Sequence, residues 1–463
     1  MKEQNEYRRY IPVLIKHRIE QLDYNRKDDL YVIIDLIYRK EFHFKADHQN
    51  FYQFTQVSQS QFKELVPSSD GLQKALDFLV LHNLLIRNDY YVMHSQAKGY
   101  KIASEYMSKT VPVEITDRNI NKRIKKQFAR FRENKDVSIR FAKSRYLKQF
   151  KMDVPKALAA IQQNTVQDLM VFFRMHNMNC TKQDAIELLD CTERVKYLRA
   201  SILIGSNRNE FLNIIHRSII HTMRVNAIND GALYFKRNAT NGRLDSNLTS
   251  LPSYLRKYLI SSEPLVYLDI KNSQPFFLYA LLLNEPNLDE EELSRFGQLS
   301  VDGTLYDHMV KEYQRINGRT RTRDQMKRMT YRILFSKVDS FLPQKTFFGE
   351  LFPTIMAHIN RSNAERHNTL AIALQTSEST CVLDKVMPAL NEKGIVPFTI
   401  HDGFICKKSE APALIEVFNS ILSDMYGFVP SLHVIDLLDY EEKDEPSFWD
   451  DEFDDASEVS YFE

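Results

Sequence analysis

Cysteine is scarce and scattered in this 463-residue chain: Cys180, Cys191, Cys381 and Cys406 form no Cys-x-x-Cys pair. That spacing argues against a structural zinc site and against a disulfide framework, and it suits a reducing interior. There is no glycine-rich phosphate loop, no internal repeat and no low-complexity linker, which argues against a separate ATPase engine. Long apolar runs are missing too. The longest, around Phe276 to Leu283, is far too short to span a bilayer, and the opening Met1-Lys-Glu-Gln-Asn-Glu-Tyr-Arg-Arg9 lacks the apolar core of a signal peptide. These absences point to a cytoplasmic protein with no membrane partner.

What is present is ordinary in amount and uneven in distribution. Hydrophobic residues make up 43% and charged residues 27%, the composition of a globular protein of two or three domains. Glu441 to Glu463 holds eleven acidic residues and one lysine, a net of −10, which leaves +11 on the first 440 residues of a chain whose total is +1. A basic body suits a phosphate-backbone partner, because lysine and arginine contacts release counterions. The tail also carries Phe448, Trp449, Phe453, Tyr461 and Phe462. Its charge predicts disorder, and its aromatics predict a protein partner or a return onto the nucleic-acid channel, against the plainer reading of a solubilising tail.

Residues 1–110 read as three helices and a hairpin. The helices fall at Asp29 to Tyr38, Gln59 to Val66 and Asp70 to Asn83, and the hairpin alternates from Leu84 around Asn88-Asp89 and returns near Lys98 to Ile102. This resembles a winged-helix module, although its third helix offers only Lys74 as a cation, so DNA contact is set against a protein-contact or purely structural role. Residues 111–230 read as a basic helical region followed by a helical thumb. Arg118 to Lys151 has thirteen lysines and arginines against Glu133 and Asp136, with Phe128, Phe131, Phe141, Tyr146 and Phe150 interleaved. Lys122, Arg123, Lys125, Lys126 and Arg130 are its candidate phosphate-backbone contacts, set against ordinary solvation of a helix face.

The chemistry-bearing residues lie further on, in residues 231–440. Two strand-like segments each end in an aspartate: Leu265-Val-Tyr-Leu-Asp269 and Val396-Pro-Phe-Thr-Ile-His401-Asp402. Side by side, such carboxylates form hard oxygen ligands for two divalent cations about 3.5 to 4 Å apart, as an in-line phosphoryl displacement requires. Between them Arg323, Lys327, Tyr331 and Phe335 recur every four residues and share one helical face. Cations for a triphosphate, an aromatic for a base and carboxylates for metal point to a nucleotide polymerase.

The order of these pieces resembles that of family A DNA polymerases and of the single-subunit phage-type RNA polymerases. Thr240-Asn-Gly242-Arg243-Leu244-Asp-Ser-Asn247-Leu248-Thr-Ser-Leu251-Pro252 is similar to the family stretch T-G-R-L-S-S followed by N-L-Q-N-I-P. Leu374-Gln375-Thr-Ser-Glu-Ser-Thr-Cys-Val-Leu-Asp384-Lys385 resembles the helix that begins M-Q-G-T-A-A-D. The resemblance covers residues 231–440 and implies an α+β right-hand polymerase with an antiparallel-sheet palm, helical fingers and thumb.

It further implies Asp269 and Asp402 as ligands of two Mg2+ ions (Mn2+ as a substitute), with the backbone carbonyl of Ile270 as an extra donor. Lys327 and Arg323 would hold the incoming triphosphate, with Lys327 also a proton donor to pyrophosphate. Tyr331 and Phe335 would flank the nucleotide. Gln274 falls where the DNA polymerases carry a glutamate that blocks a 2′-hydroxyl, which favours DNA over RNA synthesis. Arg243, Gln375 and His401 would contact the primer-template. Gly403 departs from the family's H-D-E, and Pro275 and Phe276 depart from D-Y-S-Q-I-E-L-R. Nothing resembles the acidic motifs of a proofreading exonuclease. The alternatives are an RNA polymerase or primase using the same site, serving a plasmid, phage or other mobile element, and a DNA-binding replication initiator with a degenerate core.

Overall fold

The computed structural model describes residues 7–45, 54–66, 68–88, 98–132 and 150–440. They fall into two compact units of mixed helix and sheet: the chain up to Arg132 with Lys151–Tyr234, and Phe150 with Phe235–Tyr440. The units part at Tyr234/Phe235, close to the boundary expected at 230. Helices Val154–Met175, Lys182–Asp190, Glu193–Ile204 and Arg208–Asn229, read from the sequence as a thumb, share one apolar core with the N-terminal helices Lys27–Lys45 and Ser69–Leu81. Ile33, Ile37, Leu76, Leu169, Phe172, Phe173 and Ile215 in that core are each at most 3% exposed. An apolar stripe identifies a helix as needing a partner and leaves the partner unspecified.

In the same unit a three-stranded antiparallel sheet has Gly99–Ile102 between Thr55–Gln56 and Leu85–Asn88. The expected hairpin tip at Asn88-Asp89 falls largely in residues 89–97, outside the described set. An unanticipated antiparallel pair, Arg8–Pro12 with Thr110–Glu114, ties the two ends of this segment together. Helix Arg118–Arg132 turns Ile120 and Ile124, one turn apart, fully inward and leaves Lys122, Lys125 and Lys126 exposed. The rest of the basic stretch, 133–149, and the acidic tail, 441–463, lie outside the described residues. No described helix is long and apolar enough to cross a membrane.

The second unit is built on a four-stranded antiparallel sheet. Its strands are β1 (Leu265–Ile270), β2 (Phe398–Ile400), β3 (Gly403–Lys407) and β4 (Leu432–Asp436), in the order β4-β1-β3-β2. Around it run α1 (Ser273–Leu282), α2 (Leu305–Asn317), α3 (Arg323–Phe335) and α4 (Thr369–Ser379), the last continuing into a π-helical segment, Thr380–Val386. β1 and β3 are central, and Val266, Tyr267, Leu268, Phe404, Ile405 and Cys406 are all at most 5% exposed. Central strands covered on both faces read as continuous apolar runs, and this is why a carboxylate at the end of β1 stands out.

Candidate active site

Antiparallel register brings the two aspartates together. β3 pairs with β1 at Phe404↔Leu268, so one residue further Gly403 faces Asp269, and Asp402 follows it in the turn. On the other side His433 of β4 pairs with Asp269. Neighbouring strands lie about 4.8 Å apart, so the carboxylates rise from adjacent strand ends. His401 and Asp402 form the two-residue connection between β2 and β3, with Gly403 paired to Ile400 and His401 held at φ 53°. A positive φ is uncommon outside glycine and fits a tight hairpin turn. Asp269, Ile270, His401 and Asp402 all line one cavity of about 940 Å³.

Helix α3 forms another wall. Thr322 caps it, accepting from the Gln325 amide while the Gln325 side chain accepts from the Thr322 amide. This reciprocal cap sets the first helical residue at Arg323. Steps of four then carry Lys327, Tyr331 and Phe335 down the same face, and all four line the cavity. Tyr331 and Phe335 stack nearly parallel, 11° between planes with centroids 5.7 Å apart. The Lys327 ammonium lies 5.6 Å from the Tyr331 ring, and the Arg323 guanidinium 5.3 Å from that of Tyr306. Arg323 also reaches Asp307 at 3.5 Å and the Asn272 side-chain oxygen at 3.4 Å. These are long contacts from a half-exposed side chain.

The Gly242-Arg243 turn docks onto α4 through several bonds. Arg237 makes two 2.6 Å bonds to Asp384, Asn241 donates to Gln375 Oε1 at 2.8 Å, and Ser379 donates to the Asn241 carbonyl at 2.9 Å. Gly242 is required twice over: its φ is +70°, and an added Cβ would lie 2.6 Å from Ser379 Oγ. The turn delivers Arg243 to Glu378, whose Oε2 accepts from Arg243 Nη2 at 2.7 Å and from Gln274 Nε2 at 2.7 Å. Arg243, Gln274 and Gln375 also line the cavity.

Glu378 received no role in the sequence reading. Its signal was a charge at a core position, one turn after Leu374 and one turn before Val382, both fully buried. Glu378 itself is 0% exposed. Burial, reinforced by the nearby charge of Asp402, pushes its carboxyl up to about 7 against the pull of Arg243. A folded-state value above the ordinary 4.5 means that its contribution to stability is full below pH 4.5 and lost as pH rises through 7. Glu378→Gln mimics the protonated carboxyl. In metal-free protein its stability relative to wild type should rise by roughly 2 kcal/mol between pH 5 and pH 8. Urea unfolding at the two pH values checks this, and a pH-independent difference would contradict it.

Other lining residues that the sequence did not single out are Ser253, Arg256, Lys271, Asn272, Asp307 and His433. In the other unit Lys63, Lys122, Arg123 and Lys126 line a separate cavity of about 740 Å³. Lys125 is exposed on the same helix and does not line that cavity, and the Arg130 side chain lies outside the described set.

Among the described residues no group of three or more His, Cys, Asp or Glu could enclose a metal ion. Asp269, Ile270 and Asp402 line one cleft, which therefore offers two carboxylates. This donor set fits Mg2+, which binds through one or two carboxylates and completes its shell with substrate phosphates and water.

No protein-family model and no curated protein matches this chain. Among solved structures it is similar to the POL domain of Pol1 from M. smegmatis, in complex with DNA primer-template and dNTP. The identity is 13%, the match covers 68% of this chain and 72% of that one, and the TM-score is 0.45. A likeness of that degree carries no argument about fold or activity.

Proposed function

We propose that the protein is a template-directed nucleotidyltransferase, a small DNA polymerase similar to family A and without proofreading. The observation that carries this reading is the convergence on one cleft of Asp269 and Asp402, from adjacent strand ends, with the Arg323-Lys327-Tyr331-Phe335 face of α3. Asp269, Asp402 and the Ile270 carbonyl would hold a pair of Mg2+ ions. When bound, these supply charge neutralisation at the α-phosphate and the leaving pyrophosphate.

The remaining roles follow from the side chains themselves. Lys327 is a compact point charge for phosphate and holds a proton on Nζ for the departing pyrophosphate, while Arg323 offers a planar fork. The long contacts of Arg323 to Asp307 and Asn272 are ones that a phosphate would displace. The stacked Tyr331 and Phe335 present a flat apolar wall to base and sugar. Gln274 sits at 5% exposure against this space and would limit the 2′ position. Arg243, Gln375 and His401 would face the primer-template, with the sheet as palm and α2–α3 as fingers. Lys122, Arg123, Lys125, Lys126 and Arg130 would add sequence-independent phosphate contacts.

Primer extension with Mg2+, a primed template and either dNTPs or rNTPs tests this reading. Incorporation of dNTPs is expected, and Gln274→Gly should shift the preference toward rNTPs by about tenfold, equivalent to about 1.4 kcal/mol. Preferential incorporation of rNTPs would move the assignment to an RNA polymerase or primase. DNA binding with no incorporation of either would identify a replication initiator with a degenerate core.

A further inference from the structure

Gln274 does not stand in the cleft by itself. Its Nε2 donates at 2.7 Å to Glu378 Oε2, a carboxylate oxygen that also accepts from Arg243 Nη2 at 2.7 Å. Both remaining oxygens, Gln274 Oε1 and Glu378 Oε1, are buried without a hydrogen-bond partner. Burying a carboxyl at 0% exposure costs free energy of folding, which calls for a reason beyond holding the fold together. Docking of the Gly242-Arg243 turn onto α4 is not that reason. Arg237–Asp384, Asn241–Gln375 and Ser379–Asn241 already secure it without Glu378.

We propose that Glu378 is a positioning residue for sugar discrimination, locking the Gln274 amide so that the side chain forms a fixed wall of the nucleotide cleft. The inference rests on the polymerase reading. An untethered glutamine has three rotatable side-chain bonds and would sample several rotamers, so its bulk would yield to a sugar hydroxyl. The bond to Glu378 removes that freedom and commits the amide NH2, so the side chain is held in one orientation. Through Arg243 the same oxygen couples the wall to the turn expected to face the primer-template, so sugar fit and duplex contact share one acceptor.

The test is the ratio of kcat/KM for dNTP over rNTP in single-nucleotide primer extension, whichever sugar wild type prefers. Glu378→Met keeps the volume and removes the acceptor; Glu378→Ala serves if methionine prevents folding. Either should move the ratio about tenfold toward unity, the worth of one hydrogen bond to a charged group. Glu378→Gln, which retains an acceptor, should hold the ratio near wild type. In a Gln274→Ala background the Glu378 substitution should change the ratio by less than about twofold, because Glu378 acts through Gln274. Equal slowing of both nucleotides with an unchanged ratio, or multiplicative effects in the double variant, would overturn the inference while leaving the polymerase reading intact. A wild-type protein that incorporates neither nucleotide would sink both.

Discussion

Asp402→Asn, and separately Asp269→Asn, should lower nucleotide incorporation by at least about a thousandfold, the equivalent of roughly 4 kcal/mol in the barrier. Each exchange is nearly isosteric and removes only charge. Both side chains are half-buried at strand ends, so neither exchange opens a core cavity and the sheet should keep its register. Asp402→Asn also removes the charge that, after burial, raises Glu378, whose carboxyl should then titrate at lower pH. Single-turnover primer extension gives the rate, and circular dichroism with a thermal melt shows that the variants are folded. Either variant folded and retaining more than a tenth of the wild-type rate would rule out the paired-carboxylate site.

Gly403→Glu would install the carboxylate found at that place in H-D-E, and it should destabilise the second unit by at least about 3 kcal/mol. Space, and not backbone freedom, is the limit: Gly403 has no positive φ, but an added Cβ would lie 2.4 Å from the Tyr267 hydroxyl and 2.7 Å from its ring. Tyr267 cannot easily withdraw, because its ring packs 4.4 Å from that of Tyr440. The clash falls between β1 and β3, the strands that place Asp269 and Asp402, so activity should fall together with stability. Tyr267→Ser should relieve it in part, making the double variant less damaged than the two single losses combined. Urea unfolding of the four proteins gives the coupling. Wild-type stability for Gly403→Glu alone would show that Tyr267 moves freely and that the space at Gly403 is not limiting.

The Tyr267–Gly403 contact shows where sequence reasoning stopped. Gly403 was visible as a departure from a motif, but that a side chain there would meet a tyrosine ring from another strand, 136 positions earlier in the chain, was not. Glu378 is a similar case. Its spacing from Leu374 and Val382 marks a core position, but only the fold shows that it is held there by Gln274 and Arg243.

By itself the sequence determined what depends on local spacing: the four-residue repeat that puts Arg323, Lys327, Tyr331 and Phe335 on one face, and the apolar segments that become β1 and β2. Helical and strand periods are set by backbone geometry, so a pattern of side chains suffices to recognise them. Tertiary structure alone decided which surfaces meet: that the 154–229 helices join the N-terminal core, that Arg8–Pro12 pairs with Thr110–Glu114, and that Gln274 is held by Glu378. An apolar face or a buried polar group demands a partner, yet any partner of compatible shape and polarity satisfies that demand, and the choice is made only when the whole chain packs.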